Sequence, residues 1–450
     1  MKKTIIYLAV LLLYPAFALQ SQTKQWTLEE CIQYAIENNI ELKQRELQED
    51  LKDIAANTSK YSWLPNLNAS IGQDFSFGRV QTEDGLLTSR SGANTSFGVQ
   101  LSMPVFDGFK IPNDIAAKKL DLQAATAALE KAKEDLAINV TSYYMQVLYN
   151  KEIFNIAELQ LELTTEQVSR TEALVEAGKV PLSQLYDIKA QQAKDEVTLT
   201  EARNNVEITM LDLKQALELE RSGNSFDIFV PQIDDAVERH MGSILPPENI
   251  YNKAVEIKPQ VKEQEYLLES QKRLLKVAQA DYYPRLNLNA SYGSGYYYYY
   301  SGMPEGMQNP SFSKQFNNNQ REVIGLSLSI PIFNRFQIRN NVRSARVNII
   351  NRELLVENSK KVLYKEIQQA YYNAVASQDK YLSSEKAVTA SKEAFKYAEE
   401  RYAAGKSNVF EFNESKTKYA QSLAELAQSK YDYIFRTKIL DFYNGTPIRL

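Results

Sequence analysis

Four stretches of the chain alternate apolar and polar residues with a period of two. In the first, Leu67, Ala69, Ile71, Phe75 and Phe77 share one face, and Asn68, Ser70, Gly72, Asp74 and Ser76 the other. In the second, Phe97, Val99, Leu101, Met103 and Val105 oppose Ser96, Gly98, Gln100 and Ser102. The third sets Leu286, Leu288, Ala290 and Tyr292 against Asn287, Asn289 and Ser291; the fourth sets Ile324, Leu326, Leu328, Ile330 and Ile332 against Gly325, Ser327 and Ser329. This period marks half-buried strands. Elsewhere the pattern is helical. Ala132, Leu136, Val140, Tyr143 and Val147 recur at spacings of four and three, a seam for a neighbouring helix. Positions 113 to 177 and 332 to 404 contain neither Gly nor Pro, which predicts two helices of about 100 Å at 1.5 Å per residue. Moderate helices are expected over about 27–61, 182–218 and 247–282. Thr27 followed by Glu30 gives the first a capping box, and Pro247 suits a first helical turn.

The chain repeats itself. Tyr61-Ser62-Trp63-Leu64-Pro65-Asn66-Leu67-Asn68-Ala69-Ser70 matches Asp281-Tyr282-Tyr283-Pro284-Arg285-Leu286-Asn287-Leu288-Asn289-Ala290-Ser291, with the prolines 219 positions apart. Ser102-Met103-Pro104-Val105-Phe106-Asp107 matches Ser329-Ile330-Pro331-Ile332-Phe333-Asn334, and Glu176-Ala177-Gly178-Lys179 matches Ala403-Ala404-Gly405-Lys406, both 227 apart. The change of eight places the extra residues between Pro284 and Pro331. Each copy therefore reads as helix, strand pair, very long helix, Gly, second helix. One repeat spans 19–220 with its hairpin at about 64–106; the other spans 247–450 with its hairpin at about 284–332. Residues 221–246, with Arg221-Ser222-Gly223-Asn224, then Phe226, Ile228 and Val230, join them as a belt outside the helices.

Lys2 and Lys3 before the apolar run Ile5–Leu13, followed by Ala16-Phe17-Ala18, read as a signal peptide over 1–18. The one cysteine, Cys31, lies well past that cleavage point, which excludes a lipid anchor there and a disulfide within the chain. Cys31 reads as a small core residue, and the one histidine, His240, excludes a multi-histidine metal site. The formal charge of −4 argues against nucleic acid as a partner. No cofactor is implied. There is no GxSxG, and Gly405-Lys406-Ser407 lacks the upstream glycine of a phosphate loop because position 400 is Glu400. An enzyme is excluded on these grounds.

No run of 18 apolar residues occurs, so membrane-spanning helices are out. The strands are another matter. Each stretch is about 10 residues, enough to cross an outer membrane, and their polar faces carry Asn, Ser, Gly and Gln, as a wet lumen requires. Four strands cannot close a barrel, and open edges are not tolerated in lipid. A homotrimer supplies about 12 strands, within the range of bacterial barrels, above a ring of long helices. The hairpin connections, about 78–93 and 293–320, are expected as polar loops. The run Tyr296–Tyr300 would then lie in an external loop near the aromatic belt.

With both repeats in view, the chain resembles the TolC-like outer-membrane efflux proteins over its whole mature length. The resemblance rests on the motifs ending in Pro104 and Pro331 and on two helix-hairpin tips. The family's tips read Tyr/Phe-x-x-Gly with an acid six positions on; Tyr402-Ala403-Ala404-Gly405 followed by Glu411 fits. The first tip, Leu174-Val175-Glu176-Ala177-Gly178, departs: its aromatic is missing and Gln184 stands where the acid belongs. The resemblance implies a mainly helical fold with a trimeric 12-stranded barrel continued by a helical barrel that extends from the outer membrane into the periplasm. It also implies partners: outer-membrane lipid, a periplasmic adaptor protein, and an inner-membrane pump such as an RND or ABC transporter. By motif position Glu411 and Glu414 would face the pore at an iris-like gate. Tyr402 and Gln184 would link neighbouring coils by a hydrogen bond, and Gly178 and Gly405 would form the tips where the adaptor docks. The competing reading is an exported trimeric helical scaffold or adhesin without a pore. It does not explain four amphipathic strands at two symmetric positions.

Overall fold

The computed structural model describes residues 25–81, 85, 87–219, 226–231, 244–303, 306 and 308–449. The expected signal peptide, Arg221–Asn224 and His240 lie outside the described residues. In chain order the elements are β1 (Gln25–Trp26), α1 (Leu28–Asn38), α2 (Ile40–Lys60), β2 (Asn66–Gln81), β3 (Leu87–Phe106), α3 (Lys110–Glu176), α4 (Leu182–Ala216), β4 (Asp227–Ile228), α5 (Pro247–Ile257), α6 (Pro259–Ala280), β5 (Arg285–Ser301), α7 (Phe312–Asn318), β6 (Arg321–Ser329), α8 (Gln337–Ala403) and α9 (Val409–Tyr443). The long helices α3 and α8 have 67 residues each, and α4 and α9 have 35 each. The moderate helices differ from expectation. Asn39 (φ −59°, ψ 129°) divides α1 from α2, and Lys258 (φ −71°, ψ 129°) divides α5 from α6, again 219 positions on. Pro259 explains the second break, because it disfavours helical geometry in the residue before it. Asn39 explains the first, since asparagine competes for the backbone with its own amide.

The chain forms two compact units. One comprises Glu41–Ala132 and Tyr251–Glu366 and carries the sheet. Its four strands are antiparallel in the order β2-β3-β5-β6. Pairing runs from Asn66↔Ser102 to Gln81↔Leu87 between β2 and β3, and from Arg285↔Ser329 to Gly293↔Arg321 between β5 and β6. The strands are 16, 20, 17 and 9 residues long, so three exceed the expected ten. Most of the expected loop 78–93 is strand. The tyrosine run is also strand, not loop: Tyr296, Tyr297 and Tyr298 pair with Thr95, Asn94 and Ala93. Five identical residues show no alternation, which hid the strand, yet tyrosine suits a pleated surface well. The extra residues of the second repeat lie in the β5–β6 connection, which holds α7.

That connection covers β5 where β6 has ended. Gln315 accepts from the Tyr297 backbone N–H at 2.9 Å and donates to its carbonyl at 2.8 Å. Asn309 does the same for Tyr299, at 2.9 Å both ways. Asn319 donates to the Gly295 carbonyl at 2.7 Å. Side-chain amides at every second residue thus replace a neighbouring strand and satisfy an edge that would otherwise be open. Phe312 and Phe316 of α7 pack edge-on against Phe97.

Strand passes to long helix through the same turn in both repeats. Gly108 and Phe109 have φ of 70° and 66°; Arg335 and Phe336, each 227 positions on, have 56° and 62°. Gly108 is needed for a second reason: a Cβ there would sit 2.6 Å from the Ala280 carbonyl oxygen.

The other unit comprises Met1–Ile40, Lys133–Ile250 and Ile367–Leu450. Its core joins Leu28, Cys31 and Ala35 of α1 to Val140, Tyr144 and Val147 of α3, Leu213 of α4 and Tyr433 and Ile434 of α9. The expected seam on α3 holds at Val140 and Val147, but Tyr144 (1% exposed) is the buried tyrosine and Tyr143 (42%) is not. The Tyr144 hydroxyl donates to the carbonyls of Phe229 (2.6 Å) and Trp26 (3.2 Å), beside the parallel pair β1–β4. Burial raises its pKa above the ordinary value. Both bonds of the Thr27–Glu30 capping box are formed. Cys31 is fully buried, and burial with Glu30 and Glu29 nearby pushes its thiol up to about 12.

Candidate functional site

The helix tips lie in the second of these units. Both long helices end alike. The Gly178 N–H donates to the Val175 carbonyl at 2.9 Å and Lys179 to Leu174 at 2.9 Å; Gly405 donates to Tyr402 at 3.0 Å and Lys406 to Arg401 at 2.8 Å. This crossed pair of bonds needs a left-handed residue, and the glycines supply it at φ 69° and 72°. Among the described residues beyond its chain neighbours, none lies within 4 Å of a Cβ added at either glycine, so backbone conformation and not crowding demands glycine there.

The next helix starts differently in the two copies. At the second tip Asn408 caps α9 by accepting from the Glu411 N–H at 2.9 Å, whereas Pro181 precedes α4 with no side-chain cap. Glu411 and Glu414 are exposed to similar degrees, and each has a cation on its own chain. Arg401 lies 3.4 Å from Glu411, and Lys418 lies 2.6 Å from Glu414. The Tyr402 ring stacks on Phe412 with centroids 5.1 Å apart and packs on the cluster of Val168, Leu185, Ile188 and Val409. Gln184 sits in the first turn of α4, its N–H donating to the Pro181 carbonyl at 3.1 Å. Within one chain, no hydrogen bond joins Tyr402 to Gln184 among the described residues.

Sequence reasoning missed the strongest polar feature. Lys416 of α9 has a side chain only 2% exposed, and its Nζ lies 2.7 Å from Asp195 Oδ2 of α4. Nζ also bonds Thr164 Oγ1 of α3, and that hydroxyl donates to Asp195 at 2.5 Å. Gln191 Nε2 reaches the other carboxylate oxygen at 2.7 Å. Three helices are thus pinned by one buried, hydrogen-bonded ion pair, the kind of element that fixes register in helical packing. The available signal was spacing: Val409, Phe412 and Lys416 follow the three-four rhythm of an apolar stripe, so a lysine in that series calls for a buried partner. The repeat sharpens the point. The counterparts of Thr164 and Asp195, 227 positions on, are Ser391 and Ser422, joined hydroxyl to hydroxyl at 2.5 Å. The counterpart of Lys416 is Lys189, half-exposed in a surface pair with Glu172 at 2.6 Å.

The sheet, in the other unit, presents a second feature. On its end strands, Leu67, Ile71, Phe75 and Phe77 are 64%, 76%, 61% and 76% exposed, and Ile324 and Leu326 are 80% and 67% exposed. Their apolar side lies bare, and among the described residues the outer edges of β2 and β6 have no strand beside them. Such a band with two free edges suits lipid once the edges are paired.

Comparison with known proteins agrees with this geometry. A model of the outer membrane efflux protein family matches residues 31–218 and 250–442. The outer membrane protein TolC of Escherichia coli (strain K12) is 23% identical over 414 residues, covering 90% of this chain and 80% of that protein. The crystal structure of the Campylobacter jejuni CmeC outer membrane channel aligns at a TM-score of 0.76 with 18% identity, over 94% of this chain and 86% of that one. VceC of Vibrio cholerae aligns at 0.74 with 14% identity, over 94% and 97%. The family match spans both repeats, and the chain belongs to the outer membrane efflux proteins: it is a channel-tunnel of the outer membrane that extends into the periplasm.

Proposed function

We propose that three copies pair β6 of one with β2 of the next to close a 12-stranded barrel, and that the assembly is the exit duct of a tripartite efflux or secretion complex. The observation that carries this is the four-stranded sheet with two open edges and a bare apolar face. In lipid, unpaired backbone groups cost several kcal/mol each, so pairing between copies is the arrangement that satisfies them. Residues 1–18 serve as the export signal, and 221–246 connect the repeats 19–220 and 247–450. A periplasmic adaptor docks at the tips around Gly178 and Gly405, and an inner-membrane pump of the RND or ABC type drives the cargo. The cargo is a small molecule or a polypeptide that passes through passively.

In this reading the tips form the gate. Glu411 and Glu414 from three copies make two acidic rings, each glutamate partly balanced by Arg401 or Lys418 of its own chain. Such rings favour cations. Tyr402 and Gln184 meet between neighbouring hairpins in the closed state. Tyr402→Phe keeps the stacking on Phe412 but removes the hydroxyl, so single-channel conductance in planar bilayers rises. Unchanged current in that variant contradicts the latch. Glu411→Gln with Glu414→Gln lowers the cation-to-anion permeability ratio; an unchanged ratio removes the acidic rings from the account.

A further inference from the structure

The sheet-bearing unit contains a cavity of about 740 Å³ where the strands give way to helices. Gly108 and Phe109, just past β3, line it, as do Tyr282 and Tyr283, just before β5, and the first turns of α8 after β6. Four cations converge on it: Lys276 of α6 and Arg339, Arg343 and Arg346 of α8. Among the described residues its lining contains no carboxylate. None of the four is ion-paired among the described residues; Arg339 instead lies over the Phe336 ring at 4.7 Å. The neighbouring Asp281 is already held by Lys110 at 3.3 Å and by Arg285.

The faces of α8 tell which way the cavity looks. Val342 and Ala345 are buried within the protomer. Val347, Ile350 and Leu354 form an exposed apolar stripe, the side left for a neighbouring copy. Asn341, Ser344 and Asn348 lie on the opposite side and continue the uncharged polar character of the strands' lumenal face. Arg339 and Arg346 share a heptad position with Lys360, which reaches Glu265 of α6 at 2.7 Å. They fall between the buried and the apolar stripes, the side that faces away from the lumen in the trimer proposed above, on which this inference rests. Lys276 comes from the same flank of α6 as Glu265. The cavity is therefore an outward-facing cationic recess at the periplasmic rim of the apolar strand band, edged by two tyrosines that are each about half-exposed (51% and 52%).

We propose that this recess binds the phosphate headgroup of an anionic phospholipid of the periplasmic leaflet. Unpaired arginine and lysine beside an apolar band match the headgroup's charge and its level in the bilayer, and interfacial tyrosines suit the glycerol region. Arginine presents paired donors that fit phosphate oxygens. Acyl chains from a headgroup seated here run up along the exposed side chains of the strands.

Native mass spectrometry of the full-length protein, released from mixed micelles, tests this. Phosphatidylglycerol binds the wild type at least ten-fold more tightly than phosphatidylcholine. The K276Q/R339Q/R346Q variant loses about 100-fold in phosphatidylglycerol affinity, since each cation near an anionic surface contributes about a factor of five. A control with three exposed lysines of α8 neutralised (K386Q/K392Q/K396Q) keeps wild-type binding, and the charge-retaining R339K/R346K variant keeps most of it. Equal binding of the two lipids, or full binding by the first variant, overturns the proposal. So does displacement of the lipid by millimolar inorganic phosphate, which identifies a free-phosphate site instead. That competition uses only the wild type, so it decides the matter even if the triple variant fails to fold.

Discussion

The two repeats of this chain are one skeleton written twice, in sequences that differ at most positions. Both have a helix broken into a piece of 11 residues and one of 21 or 22, both have 67- and 35-residue helices, and both close their tips on a left-handed glycine. Some of the differences change charge, capping, burial or backbone strain. Val175 becomes Tyr402, Pro181 becomes Asn408, Gln184 becomes Glu411, Asp195 becomes Ser422, and Gly108 becomes Arg335, each 227 positions on. Backbone conformation is thus set by elements the repeats share. Charge, capping and burial are assigned separately to each copy, and the candidate gate and the lipid recess use that freedom.

The largest test of this contrast compares equivalent lysines. Lys416→Ala leaves Asp195 buried without its cation and lowers stability by about 3–5 kcal/mol. Lys189→Ala removes a half-exposed pair and costs at most about 1 kcal/mol. Thermal unfolding in detergent separates the two, and replacing the buried pair together (Lys416→Met with Asp195→Leu) recovers most of the loss. Equal effects at 416 and 189 break the claim that the copies differ in burial.

A second pair probes the strand-to-helix turns. Gly108→Ala forces a Cβ against the Ala280 carbonyl at a positive φ and costs about 2–4 kcal/mol. Arg335→Gly, at the matching turn, relieves a side chain held at φ 56° and gains up to about 1 kcal/mol. Thermal melts of both variants check the opposite signs.

The β5–β6 connection gives a third contrast, because the β2–β3 hairpin is paired to its end and needs no such cover. Gln315→Ala strips two bonds from the Tyr297 backbone and costs about 1–3 kcal/mol, with faster amide exchange confined to Tyr297 and its neighbours on β5. Unchanged exchange there counts against the amide ladder.

The smallest effect concerns pH. Burial tends to raise the Asp227 pKa, but the hydrogen bond and charge of Lys151, with the Ile228 N–H and Gln25, lower it overall. A lowered carboxylate pKa stabilises the fold above the unfolded-state value, and that contribution fades as pH falls through the folded value. Stability around β1–β4 therefore declines on acidification below about pH 4. Lys151→Met flattens this dependence in pH-resolved melts.

Much of this was legible from residues alone. Glycine- and proline-free spans mark the long helices because breakers are the clearest local signal, and alternation marks the strand cores. The strand ends were hidden where alternation dissolves into five tyrosines or runs into turn-forming residues between Gly78 and Gly92. The helix break at Asn39 has no proline to announce it. The buried Lys416–Asp195 pair joins helices 221 positions apart, and no local pattern specifies that distance. At the tips, the glycine conformation followed from spacing, whereas the in-chain partners of Glu411 and Glu414 depend on side-chain geometry.

The central claim is that the open sheet edges of one copy are completed by its neighbours. Single cysteines placed on the lumenal faces of β2 and β6, for example Asn68→Cys and Ser327→Cys in one chain, test it by crosslinking in intact membranes. Cys31 does not interfere, being buried with its thiol pushed up to about 12. With the register scanned along β6, the account predicts a covalent ladder on a denaturing gel that stops at three chains. A ladder that stops at one chain, at every register tried and in protein that still conducts ions, would contradict it.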